Sequence, residues 1–235
     1  MQKKLITKIL VALIFILVGA TVYSNYREQL AIDRSKIPES MEYAKEFQDW
    51  IINMKKQVDV SADEFRLKEV NEVFNSAHMK IASRDDKEAY KNHLDKLETF
   101  EGYENVRFSP NDFQFLDFRH KLRQEAGFEF EPHDVYFHGL RENKIIDTKI
   151  LSCEPLRNCY FDRGFFIDND TFVISRYSRP ISDENIETGN YEPCAFDEAC
   201  TYTIKLHLFD IINGDQYVYE SNEYEVNLAE TVEFF

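Results

Sequence analysis

Glycine and proline are scarce, with seven and six among 235 residues. No glycine stands in a G-x-G, a Walker loop or a G-x-S-x-G elbow, so no phosphate-cradling turn and no hydrolase nucleophile turn can be drawn. Positive charge is also short. Lys and Arg number 28 against 43 Asp and Glu, for a formal charge of -15. Nucleic-acid binding draws its affinity from clustered Lys and Arg, and nucleotide binding from glycine-rich turns, so neither ligand is expected. H-E-x-x-H and S-x-x-K are absent as well, and the abundance of carboxylates hides any catalytic pair. An acidic surface of this kind favours solubility and suits a protein or cationic partner.

Long apolar runs are nearly missing, with one exception at the start. Behind Lys3, Lys4 and Lys8 the chain is uncharged from Ile9 to Tyr23, and Tyr23 and Tyr26 sit where an interfacial aromatic belt would lie. Fifteen residues of helix reach about 22 Å, and extension back to Leu5 with Lys8 snorkelling about 28 Å, against a hydrocarbon core of roughly 30 Å. Residues 1–26 read as a membrane anchor or signal segment, with residues 5–23 facing the bilayer. A cleaved signal peptide and secretion is the alternative, though neither Val18-Gly19-Ala20 nor Val22-Tyr23-Ser24 forms an A-x-A cleavage site. Arg27, Arg34 and Lys36 balance the three leading lysines. The short amino-terminal tail and the cysteines therefore decide the orientation: a single-pass protein at the cell membrane, its carboxyl-terminal bulk outside the cytoplasm.

Residues 27–37 read as a tether, residues 38–127 as a region of about four helices, and residues 128–235 as an antiparallel β domain, giving an α+β fold. The first helix, about 38 to 57, places Tyr43, Phe47, Trp50, Ile51, Met54 and Val58 on one stripe. The second follows a capping box of Ser61 and Glu64 and runs to about Ala82, with Val70, Val73, Phe74, Ala77 and Ile81 as its stripe. Asp85 and Glu88 open the third, which stops at Gly102. Ser109 and Pro110 open the fourth, which stops at Gly127. From Phe128 onward β-branched and aromatic residues alternate with period two. Asn213-Gly214 and the run Asp168–Asp170 mark hairpins. Along the strand from Thr201, Tyr202, Ile204, Leu206 and Leu208 face one way and Thr203, Lys205 and His207 the other, which predicts one buried and one wet face. An antiparallel sheet or small β-sandwich follows.

All four cysteines lie in two C-x5-C loops, Cys153–Cys159 and Cys194–Cys200. Five intervening residues are too many for the close pairs of a zinc clip, and the C-x-x-C redox motif is absent. With an export segment the reading is disulfides, the local pairs being the expected connectivity among the three that four cysteines allow. Glu154, Arg157, Asp197 and Glu198 beside them form a candidate contact rim.

His133 and His138, five residues apart, fall on opposite sides of a strand and well apart around a helix, which argues against a metal pair, and His78, His93 and His120 are read as ordinary surface or interior histidines. The acidic segment holding Asp183, Glu184, Glu187, Glu192, Asp197 and Glu198 makes calcium the one cofactor to consider, although the alternating EF-hand loop is missing. Asn169 begins a glycosylation-type N-D-T inside the first hairpin. No catalytic, cofactor or metal residue is assigned. The expected function is a membrane-anchored extracytoplasmic binding or interaction module. The alternatives are a cell-envelope hydrolase using carboxylates and an acidic inhibitor or immunity-type protein.

Overall fold

The structure is a computed structural model that describes residues 2–31, 33–72, 79–98, 105–119, 134–141, 143–154, 158–182, 185, 194–195 and 197–231. It divides into two units, Met1–Ser35 and Lys36–Phe235. The first is one helix, α1 (Gln2–Ala31), which continues five residues into the stretch expected to be tether. Among the described residues no helix is long and apolar enough to cross a membrane. The expected transmembrane segment, residues 5–23, is therefore present as helix but falls short as a span.

The second unit is built on two five-stranded antiparallel sheets. Sheet A has the order β1-β10-β9-β8-β7, formed by β1 (Arg66–Glu72), β7 (Cys159–Phe166), β8 (Thr171–Ser178), β9 (Ala199–Asp210) and β10 (Asp215–Asn227). Sheet B has the order β2-β6-β5-β4-β3, formed by β2 (Met79–Ser83), β3 (Val106–Phe108), β4 (Gln114–Asp117), β5 (Asp134–Arg141) and β6 (Lys144–Ser152). Both expected hairpins form. Asp168 caps the β7–β8 turn by accepting from the Asp170 and Thr171 amides. Gly214 takes φ +74° in the β9–β10 turn, a conformation glycine adopts without strain.

Two of the four expected helices form. The first splits into α2 (Glu39–Glu42) and α3 (Lys45–Met54). Phe47, Trp50, Ile51 and Met54 are buried as the stripe predicted, while Tyr43, at the break, is exposed. The third is α4 (Lys87–Glu98), capped by Asp86 rather than Asp85: its Oδ1 accepts from the amides of Glu88 and Ala89, both at 3.1 Å.

Over their described residues the second and fourth give way to strands; residues 73–78 and 120–127 lie outside the described residues. The Ser61/Glu64 capping box is real, but it closes only a 3₁₀ turn, Ala62–Glu64. The chain then pairs along the edge of the 13-residue β10, as β1. That long strand has a full row of backbone donors and acceptors to satisfy, and pairing outweighs the helical stripe. In the fourth, Ser109-Pro110-Asn111-Asp112 makes the β3–β4 turn instead of a helix start. Ser109 Oγ accepts from the Gln114 amide at 3.1 Å, and Asp112 adopts φ 60°, which a helix does not tolerate. His78, His120 and His133, with Val73, Phe74 and Ala77, lie outside the described residues.

Packing orders the layers. One face of sheet A, through Tyr177, Tyr202, Ile204, Leu206 and Leu208, packs on Met41, Phe47, Trp50 and Met54 of α2 and α3, with Leu228 of the closing helix α5 (Leu228–Thr231). Its other face meets sheet B through Phe161, Phe172, Ile174 and Phe209, opposite Leu116, Val135 and Phe137. Phe172 sits between Phe137 and Phe209, with ring centroids at 5.4 and 5.0 Å. The expected wet face of β9 is thus not wet along its second half: His207 is only 4% exposed. The outer face of sheet B carries α4.

Candidate functional site

Alternation along three strands builds a charged face. On β5, Val135 and Phe137 turn into the core, so Tyr136 and His138 turn outward. The β5–β6 register sets His138 opposite Asp147 and Tyr136 opposite Lys149, and β4 sets Asp117 opposite Tyr136. On the far side of β6, Lys80 of β2 is paired with Asp147. Helix α4 adds Lys96, whose ammonium binds the Asp147 carboxylate. It also adds His93, whose ring packs 6.0 Å from that of Phe115.

These side chains line a cleft of about 490 Å³: Lys80, Lys96, Asp117, Arg119, Tyr136, His138, Asp147, Thr148 and Lys149. A second hollow of about 590 Å³ under α4 shares Lys80, Lys96 and Asp147 with it. His138 lies at the centre, 4% exposed. Its Nδ1 is 2.9 Å from Asp147 Oδ1. Its Nε2 faces Asp117 Oδ2 at 3.9 Å. The His138 ring is stacked on Phe115 at 4.6 Å and lies nearly parallel to that of Tyr136, at 6.2 Å and 10°.

Each carboxylate in the cleft is held by a cation. Arg119 grips Asp117 in a fork, Nε to Oδ1 at 2.9 Å and Nη2 to Oδ2 at 2.6 Å. Burial pushes the Asp117 carboxyl up, but the hydrogen bonds and charge of Arg119 outweigh it and hold the group below the usual carboxylate range. Burial likewise pushes Asp147 up, and the hydrogen bonds and charges of His138 and Lys96 overcome it, leaving this carboxyl well below that range. Burial raises the Tyr136 phenol, aided by Asp134. Asp134, just outside the lining, takes Lys149 at 3.3 Å and the Ser152 hydroxyl at 2.5 Å.

The cysteines pair locally, Cys153 with Cys159 and Cys194 with Cys200. The first clips the passage from β6 of sheet B to β7 of sheet A, and the second ties the incoming loop to the start of β9. The register Cys159–Ser178–Thr203 puts both at one end of sheet A. Of the candidate contact rim, Glu154, Asp197 and Glu198 are exposed beside the disulfides, and Arg157 lies outside the described residues. Cys194, Glu198 and Cys200 form a compact group of ligand-type atoms, but both sulfurs are consumed in the disulfide. Asp183, Glu184, Glu187 and Glu192 of the calcium candidate lie outside the described residues.

Sequence reasoning passed over the cleft. Read as a two-residue hairpin, Arg141-Glu142-Asn143-Lys144 would have counted His138 back onto Asp147 and revealed this much of it. Asp117 and Arg119 were hidden inside an expected helix. Comparison with known proteins yields nothing to set beside this geometry: no family model, no curated protein and no solved structure matches the chain.

Proposed function

We propose that the chain is a membrane-tethered, extracytoplasmic binding module whose ligand site is the cleft on the outer face of sheet B. One observation carries the reading: four cations and a buried histidine converge on a concave surface in a protein of charge -15. Such convergence of polar groups in a cavity of several hundred Å³ is the usual form of a small-ligand site. Two disulfides and no free cysteine suit an oxidising compartment. Helix α1 supports the tether. Consecutive residues Leu13 to Val18 are apolar on every side of the helix, a pattern that suits a lipid surrounding. Thr21 turns its hydroxyl onto the Leu17 carbonyl at 2.9 Å, hiding a polar group that lipid would not solvate. Local thinning of the bilayer is a usual accommodation of a short apolar stretch.

Fractionation of native cells tests the tether. The expected result is a full-length chain that stays with membranes through an alkaline wash, with four oxidised cysteines and a carboxyl-terminal half open to added protease from outside. Release by the wash, together with four reduced thiols, overturns it. A carboxylate hydrolase is the second reading, favoured by the position of His138 between Asp117 and Asp147. It requires turnover of an ester, phosphoester or glycoside substrate that is lost in Asp147→Asn.

A further inference from the structure

We infer that the cleft on sheet B takes a small molecule through an oxyanion group, a phosphate or a cluster of carboxylates, seated between Lys80 and Tyr136. The inference deepens the ligand-site reading above and rests on it.

The charges show which sign is left over. Asp117 is occupied by the Arg119 fork, Asp147 by Lys96 and His138, and Asp134 by Lys149. Lys80 remains: it is exposed at the mouth, lines both hollows, and among the described residues makes no ion pair. The lining therefore carries four cations against two carboxylates before His138 is counted. A cation entering the cleft would have to displace an existing partner of Asp117 or Asp147. An anion needs no such exchange and gains Lys80, with Lys96 and Lys149 nearby. Ammonium groups act on phosphate as point charges without the planar fork that favours a single carboxylate, and the one guanidinium here is already committed to Asp117. The size agrees: about 490 Å³ accommodates a small molecule and excludes a folded partner. Tyr136 and His138 supply flat rings along one wall, suited to the body that carries the anion.

The test uses the full chain in neutral detergent micelles and three probes: inorganic pyrophosphate, citrate and methyl glucoside. Binding is followed by titration calorimetry and by shifts of the His138 and Tyr136 ring resonances. Pyrophosphate or citrate is expected to bind and move both rings, and methyl glucoside is not. Comparison of the two anions separates phosphate from carboxylate recognition. Lys80→Glu is expected to weaken anion binding about tenfold or more, the scale of one charge-assisted contact. Lys56→Glu, an exposed change of the same charge away from the cleft, is expected to weaken it less than about twofold at the same ionic strength. Equal weakening by the two variants overturns the site in favour of a general field effect. Methyl glucoside binding as tightly as the anions, with the same ring shifts, refutes the oxyanion class and leaves the cleft as a ligand site. Silence of both rings to all three probes overturns the class and the ligand-site reading together.

Discussion

Sheets A and B have five strands each and share a core, yet they use their faces differently. Sheet A is covered on both sides over β8 and β9, by α2 and α3 on one face and by sheet B on the other. Sheet B buries one face and turns the other into a charged cleft under α4. A sheet buried on both faces contributes mainly apolar burial, which fixes the fold. A sheet with a free face can hold polar groups in place without a catalytic or binding side chain weakening the core beneath it. The difference assigns stability to sheet A and chemistry to sheet B, and it can be broken by experiments that strike the two sheets separately.

The largest effect is expected where the sheets meet. Phe172→Ala removes a fully buried ring stacked between Phe137 and Phe209, and truncations of this kind cost about 3–5 kcal/mol. Urea titration should show the unfolding free energy falling by that amount. A loss below 1 kcal/mol would mean that the two sheets do not share a core. Next is the Cys153–Cys159 clip, which closes a loop of six residues' separation between the sheets. Replacing both cysteines with alanine should cost about 2–3 kcal/mol on the chain-entropy account, read from the same titration. The cleft should survive it, because Asp117, His138 and Asp147 are held by strand register and not by that loop.

Gly164→Ala follows. A methyl group on this β7 residue would meet Phe118 Cζ at 2.8 Å and Leu116 Cδ1 at 2.9 Å. Both neighbours are buried and cannot swing clear, so overpacking of about 1–3 kcal/mol is expected. A neutral result in thermal melts would show that the sheets slide apart easily at this point.

What could be read from the chain follows the same division. Sheet A was largely legible: alternation in β9, the Asn213-Gly214 turn and the Asp168–Asp170 turn are local signals, and the paired cysteines lie close in sequence. The helical stripe of Phe47, Trp50, Ile51 and Met54 was legible for the same reason. Sheet B was not. Its strands β2, β3 and β4 are three to five residues long, too short for period two to outweigh the capping signals at Ser61 and Ser109. Those signals mark real turns of the chain, but on the sequence alone they read as the starts of helices. The cleft depends on those strands, since Lys80 and Asp117 enter it only through pairing with β6 and β5. His138 illustrates the limit: scanned alone it is an ordinary histidine, and it becomes a site residue only when register places a carboxylate on either side.

The smallest effect separates the sheets by pH. His207 is wholly enclosed in sheet A, its Nδ1 3.0 Å from the Gln216 amide nitrogen, with Arg176 and Lys205 on neighbouring positions, Ile174 and Val218 across the register, and Phe209 next along its face. Burial above all, then the charges of Arg176 and Lys205, holds its pKa well below the ordinary value of 6.5. The folded protein therefore keeps this ring neutral while the unfolded chain protonates it below that value. The resulting stability is fully present above pH 6.5 and is lost as pH falls toward the folded pKa, with a slope of up to about 1.4 kcal/mol per pH unit. The carboxylates of sheet B behave otherwise: Asp117 and Asp147, both depressed, lose their contribution only below the unfolded carboxylate range near pH 4. His207→Leu should flatten the urea-midpoint profile between pH 6.5 and 4.5 and leave the fall below pH 4 in place. His93, also lowered by burial and by His138 and Lys96, acts in the same window from the sheet B side, so His93→Leu is measured separately. Because the pKa of His93 is lowered less strongly than that of His207, its substitution should flatten the profile less. If His93→Leu removes the greater part of the slope, acid sensitivity originates at the cleft, and the assignment of stability to sheet A and chemistry to sheet B fails.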